Sequence, residues 1–179
     1  LDPGLFGDDS GCAILVDCPS EPTGWAGLKG ILGGDRRVIL RLDAGTLGPV
    51  EAADRVRSCR REMSGRILDW VLSFAGKDEV VPDPYDLVNL YRVYYNALKT
   101  ADPSIHVMGP DLPLDPPFDA WLTPFLRYDG DIIDALALRF HPDSRRSRPL
   151  PEIRWDLGKA LRQVQYGVGA LAGRRVPLV

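Results

Sequence analysis

Short β-type runs alternate with amphipathic helical segments along the chain, and this alternation limits the fold more than any single motif. Residues 13–17 (AILVD), 38–42 (VILRL), 67–74 (ILDWVLSF), 105–108 (IHVM) and 132–138 (IIDALAL) read as strands, with a last apolar run, VPLV, at 176–179. Between them the spacing predicts helices over 25–32, 49–63, 84–100, 118–127 and 155–172. Helix 84–100 is the plainest: Leu87, Leu90, Tyr91, Tyr94 and Leu98 make a core-facing stripe, and Asp102-Pro103 ends it. Helix 49–63 opens on Pro49, which suits a first helical position, and sets Val50, Ala53, Val56 and Arg57 at helical spacing. The run 67–74 is apolar enough to be buried on both faces, as a parallel strand is. Strands and helices in this order fold as right-handed βαβ units around a parallel sheet. The connections are too short to hold a linker, so residues 1–179 read as one α/β domain.

Composition supports a packed domain: 179 residues, 45% of them hydrophobic, can bury a real core. The net charge of −3 gives no electrostatic reason to expect nucleic acid. The local cluster Arg145, Arg146 and Arg148 sits among Ser and Pro and reads as a solvated loop. No apolar run approaches the roughly 18 residues of a membrane span. The first residue is Leu1 rather than Met, which reads as a processed, tagged or trimmed chain that can have lost a signal peptide. Cys12 and Cys18 bracket one extended run and would lie about 20 Å apart, too far to bridge. Cys59 pairs with either only if the fold brings them together, so buried free thiols are the expectation. No Cys-x-x-Cys or Cys/His cluster is present, and no phosphate-binding loop follows the glycines at 30, 33 and 34, so no metal or cofactor is expected.

The stretch from Trp70 to Pro110 carries a more specific signal. It holds Trp70, then Leu90-Tyr91, Ala97-Leu98-Lys99, Asp102-Pro103-Ser104-Ile105, Val107 and Gly109-Pro110. This resembles a segment of retaining glycosidases of the (β/α)8-barrel type (clan A-like), whose pattern is roughly W-E-x-G-N-E-P, a proline-containing loop, then Y-x-x-L-Y-x-x-x-x-x-A-L-K-x-x-D-P-S-I-x-V-x-G-P. The resemblance extends over about residues 60–179. It implies that 67–74 is the fourth barrel strand, so that the chain supplies strands 2–7 of a TIM-like barrel, truncated at both ends. The length agrees, since a complete barrel takes about 250 residues.

The chemical half of the pattern is altered. Retaining glycosidases use two carboxyl groups about 5–5.5 Å apart, one as acid/base and one as nucleophile. In an ungapped register Phe74 stands where the family has Asn, and Ala75, which has no proton to give, stands at the acid/base position. The sixth strand resembles D-x-x-S-x-H-x-Y-P, and here reads Asp134, Ala137, Arg139, His141 and Pro142. The family's nucleophile would follow the seventh strand, beyond Val179.

The candidates for ligand binding are therefore Arg41, Asp43, Phe74, Asp78, Arg139 and His141. Glu79 is the candidate catalytic acid/base if the loop register shifts. Arg41 and Asp43 share a strand end, where an Arg–Asp pair orients a sugar or carboxylate through charge-assisted hydrogen bonds or simply closes the mouth as an ion pair. Asp17 ends its strand in the same way. Trp25 and Trp121 are candidate sugar-stacking rings, although Trp121 also fits a helix face. The expectation is a glycosidase-like barrel that has lost its catalysis and serves in carbohydrate binding or assembly, secreted or at the cell surface. The alternatives are a divergent retaining glycosidase using Glu79, and a structural subunit whose open sheet edges a protein partner covers.

Overall fold

The computed structural model describes residues 13–32, 37–74, 83–113, 119–139, 158–159, 161–162, 164–169 and 176. Among the described residues the elements from the start of the sheet follow in the order β1 (Ile14–Asp17), α1 (Pro22–Ile31), β2 (Val38–Asp43), α2 (Pro49–Met63), β3 (Asp69–Ser73), α3 (Pro84–Ala101), β4 (His106–Pro113), α4 (Asp119–Asp129) and β5 (Ala135–Arg139). The described positions between 158 and 169 are helical as well, with Val164 and Val168 buried. Of the expected strand at 176–179, only Val176 is among the described residues, and it is buried.

The helices start and stop where local chemistry dictates. At α3, Asp83 caps the N-terminus, its Oδ1 accepting the Tyr85 amide at 2.9 Å, and Pro84 fills the first turn. The other end closes on Asp102, whose carboxylate accepts the Ser104 amide at 3.0 Å and its hydroxyl at 2.6 Å. In α2, Pro49 again opens the helix. Glu51 in the first turn and Arg60 and Arg61 in the last suit the helix dipole, and left-handed Ser64 and Gly65 end it.

The five strands pair in the order β1-β2-β3-β4-β5, every pair parallel. Because sequence order and spatial order coincide, successive right-handed crossovers leave every helix on the same side. The packing agrees. Leu40, Leu42, Trp70, Leu72, Phe74, Val107 and Leu136 face the helices, in one core with Trp25, Val56, Tyr91, Phe125 and Val164. Their alternate neighbours Ile39, Val71, Met108, Ala135 and Ala137 form a second apolar cluster with no helical member. A doubly wound sheet would carry helices on both faces; this one is an arc of a (β/α) barrel, with the helix-free face as its interior. The arrangement matches the expected incomplete TIM-like barrel, and the period-two burial of both faces explains why β3 reads as continuously apolar.

Several expectations change. Helix α1 begins at Pro22 rather than 25, and β5 begins at Ala135, because the Ile132 and Ile133 amides bond the Asp129 carbonyl and hold a turn where strand was expected. Strand β4 runs to Pro113, into what reads as a proline-rich loop. Among the described residues β3 pairs with it only as far as Val71↔Met108, while residues 110–113 run beside β5, and proline is tolerated where a strand lacks a partner on one side. Leu90 is 40% exposed and Val50 73% exposed, so neither belongs to its core stripe. With about 100° between successive residues, the buried arc of α3 is centred on Tyr91, and it takes in Val88 and excludes Leu90.

Candidate functional site

The resemblance to barrel enzymes carried by Trp70–Pro110 is largely a set of structural bonds. The Tyr91 hydroxyl donates to the Val107 carbonyl at 3.1 Å. Lys99 Nζ donates to the Ile105 carbonyl at 2.6 Å and pairs with Asp134 at 2.8 Å, and Asp134 also accepts the Val107 amide at 2.8 Å. Gly109 is needed because a Cβ there would meet Tyr91 Cε2 at 3.0 Å and the Leu72 carbonyl at 3.1 Å. These bonds lock α3, β4 and the entry to β5 together, whatever happens at the other end of the strands.

At the C-terminal ends of the strands the helix-free face changes character. Below lies the apolar layer of Ile39, Val71, Met108 and Ala135. Two residues further along the same face stand Arg41, Ser73 and Ala137, with Asp17, Asp43 and Arg139 at the ends of β1, β2 and β5. Arg41 Nε donates to Asp17 Oδ1 at 2.7 Å, across the β1–β2 register. That bond is the main cause of an upward-shifted Arg41 pKa, to which Asp111 and Asp43 add through their charge. Asp43 does not pair with Arg41. Its Oδ1 accepts the Gly45 amide at 2.9 Å while its carbonyl accepts the Thr46 and Leu47 amides, so it shapes the loop into α2. The Tyr94 hydroxyl pins the same loop by bonding the Ala44 and Leu47 carbonyls.

Arg139 meets a residue that the sequence did not single out. Its Nε donates to Asp111 Oδ1 at 3.2 Å and its Nη2 to the Asp111 carbonyl at 2.9 Å. Asp111 is the extra residue of a β-bulge, where the β4–β5 register shifts between Pro110 and Leu112, and its φ of 51° lies in the left-handed region. A residue other than glycine in that region costs about 1–2 kcal/mol. The Asp111 carboxylate is only 6% exposed, and among the described residues its Oδ2 has no hydrogen-bond partner. A buried acceptor left so costs a further 1–3 kcal/mol, roughly. Bulges break the in–out alternation and re-aim a side chain, which is why period-two reasoning passes over Asp111. The one available signal was an acidic residue between two prolines, Pro110 and Pro113, at a strand end.

The other expected positions separate. Phe74 is not in the mouth: it is 4% exposed and packs on the helix side, 6.2 Å from the Tyr91 ring and 5.8 Å from the Tyr94 ring, centroid to centroid. Alternation along β3 puts it opposite Ser73. Trp25 and Trp121 are likewise core residues, each 6% exposed, rather than stacking platforms. Asp78, Glu79 and His141 lie outside the described residues. Cys18 and Cys59 are free thiols, each pushed up to about 12, chiefly by burial. Among the described residues no group of three His, Cys, Asp or Glu could hold a metal ion, and no helix is long and apolar enough to cross a membrane. A cavity of about 460 Å³ lies elsewhere, between the start of α3 and α4, against Asp83, Tyr85, Thr123, Arg127 and Tyr128.

No family model matches the sequence, and no curated protein matches it. Among solved structures the chain is similar to a glucosidase from Croceicoccus marinus, at 16% identity and a TM-score of 0.57 over 92% of this chain. It spans 42% of that glucosidase's length. At this identity the likeness is one of fold: the chain has a glycoside-hydrolase-like α/β architecture.

Proposed function

We propose that this chain is a glycoside-hydrolase-like barrel segment whose strand ends bind carbohydrate without cleaving it. The observation that carries this reading is the change of character along the helix-free face: apolar at mid-height, then charged and polar where the strands end. Barrels of this kind gather their ligands at the C-terminal ends of the strands. Arg41, Asp111 and Arg139 give that end fixed donors and acceptors of the sort that select hydroxyl groups. Catalysis is lost in this reading because the acid/base position of the glycosidase-like pattern is Ala75. A secreted or cell-surface protein that holds polysaccharide fits such a role.

Two measurements on the same preparation test it. Calorimetric titration with gluco-, galacto-, manno- and xylo-configured disaccharides is expected to show binding of at least one. Aryl-glycoside assays are expected to show no turnover by either the wild type or Glu79→Gln. Turnover that the substitution abolishes would replace this reading with that of a divergent retaining hydrolase. No binding and no turnover would remove carbohydrate from the account.

A further inference from the structure

We infer that Asp111 is the carboxylate that reads a hydroxyl group of the bound sugar, with Arg139 holding it in place. The inference rests on the carbohydrate-binding reading above and assigns the residue on which that reading turns.

Three features of Asp111 converge. It is the inserted residue of a bulge at the end of β4, in a left-handed conformation that a regular strand would not require. Arg139 grips it twice, through carboxylate and carbonyl, and so fixes the direction of the side chain. One carboxylate oxygen, Oδ2, is nevertheless left without a partner among the described residues, although the residue is 4% exposed. Asp129, at the end of α4, also keeps a buried oxygen without a partner among the described residues, so what sets Asp111 apart is the bulge, which an ion pair that served only to brace β4 against β5 would not need. The contrast with Asp69 at the opposite strand ends is direct, since both of its oxygens are taken by Arg37.

The charge around Asp111 selects the ligand chemistry. Arg139 is in contact with it, and Arg41 is near enough to feel its charge. A cationic ligand would meet those two guanidiniums, and an anionic ligand would meet Asp111 with Asp17 and Asp43 nearby. A neutral O–H donor meets neither objection and satisfies Oδ2 directly. The Arg41 guanidinium, whose Nε is given to Asp17, has further N–H donors for a sugar oxygen. The ligand class is therefore a neutral polyhydroxyl compound, of which a pyranose is the common form.

The test uses whichever disaccharide of the panel the wild-type chain binds, together with its monodeoxy analogues. Asp111→Asn is expected to weaken binding about tenfold or more. One monodeoxy analogue is expected to lose a similar factor against the wild type and nothing further against the variant. That non-additivity is what a merely structural role would not produce. Unchanged affinity in Asp111→Asn overturns the inference while leaving the carbohydrate reading intact. Failure of the wild type to bind any sugar of the panel overturns both. Should Asp111→Asn not fold, hydrogen exchange on the wild type decides: saturating sugar must slow exchange in the peptide covering 108–113, and no change there overturns the assignment.

Discussion

Asp69 and Asp111 sit at opposite ends of the sheet, and their surroundings differ in kind. The Asp69 carboxylate takes Arg37 Nε at 2.6 Å and Nη2 at 2.8 Å and lies 3.0 Å from His106 Nδ1, tying together the entries of β2, β3 and β4. Burial alone would raise its pKa, but the bonds from Arg37 and His106 outweigh burial and hold it below the usual carboxylate value. A carboxylate depressed in the folded state adds stability above its unfolded pKa, near 3.9, and loses it as pH falls through the folded value. The stability difference between wild type and Asp69→Asn, measured by urea unfolding, is therefore expected to shrink as pH falls below about 4. Sequence reasoning reached Arg41 and Arg139 because strand ends can be counted. It named Asp17 as a strand-end residue too but coupled Arg41 with Asp43, since the true pairing depends on cross-strand register: Arg41 lies opposite Asp17, while Asp43 turns into its own loop. Phe74 was misplaced because its role followed from a motif position rather than from the in–out parity of β3.

At the scale of elements, α3 is the organiser. One face of it carries Leu87, Tyr91, Tyr94 and Leu98 into the core, and Tyr91 meets Phe125 of α4 edge-on at 5.0 Å between centroids. Gly109→Ala would drive a methyl group against Tyr91 and the Leu72 carbonyl. It is expected to lower stability by about 1–3 kcal/mol, the usual overpacking cost, read from thermal or urea unfolding. On the other flank Arg92 binds Asp129 through Nε at 3.0 Å and Nη2 at 2.8 Å, and Asp129 is fully buried. Arg92→Met leaves that carboxylate without its cation and is expected to cost about 3 kcal/mol, with most of the loss recovered in Arg92→Met/Asp129→Leu. If the single substitution proves neutral, the α3–α4 contact does not depend on the pair. The positions of α2, α3 and β3 were legible because long periodic segments specify themselves. The ends of β4 and β5 were not, since prolines on a one-sided edge and a turn held by the Asp129 carbonyl depend on neighbours distant in sequence.

For the whole molecule, the alternation of elements sufficed for a parallel sheet, and helices confined to one face then make that sheet an arc of a barrel. The layer between the sheet and its helices shields the two described thiols from reagents. Cys18 lies against the main core and Cys59 within it, and burial pushes both to about 12, so few thiolates exist at pH 8. Iodoacetamide at pH 8 is expected to leave both unmodified in the native protein and to label both in denaturant, as read by peptide mass spectrometry. Rapid native labelling of Cys59 would mean that α2 opens away from the main core far more readily than its packing implies. The sheet order has a kinetic side as well. Every strand pairs only with the one made just before it and the one made just after, so each pairing closes over a single intervening helix. Each closure therefore spans one helix rather than the whole chain, which limits its entropic cost. A chain emerging from a ribosome can therefore add each strand to an edge that already exists, growing its barrel wall one unit at a time.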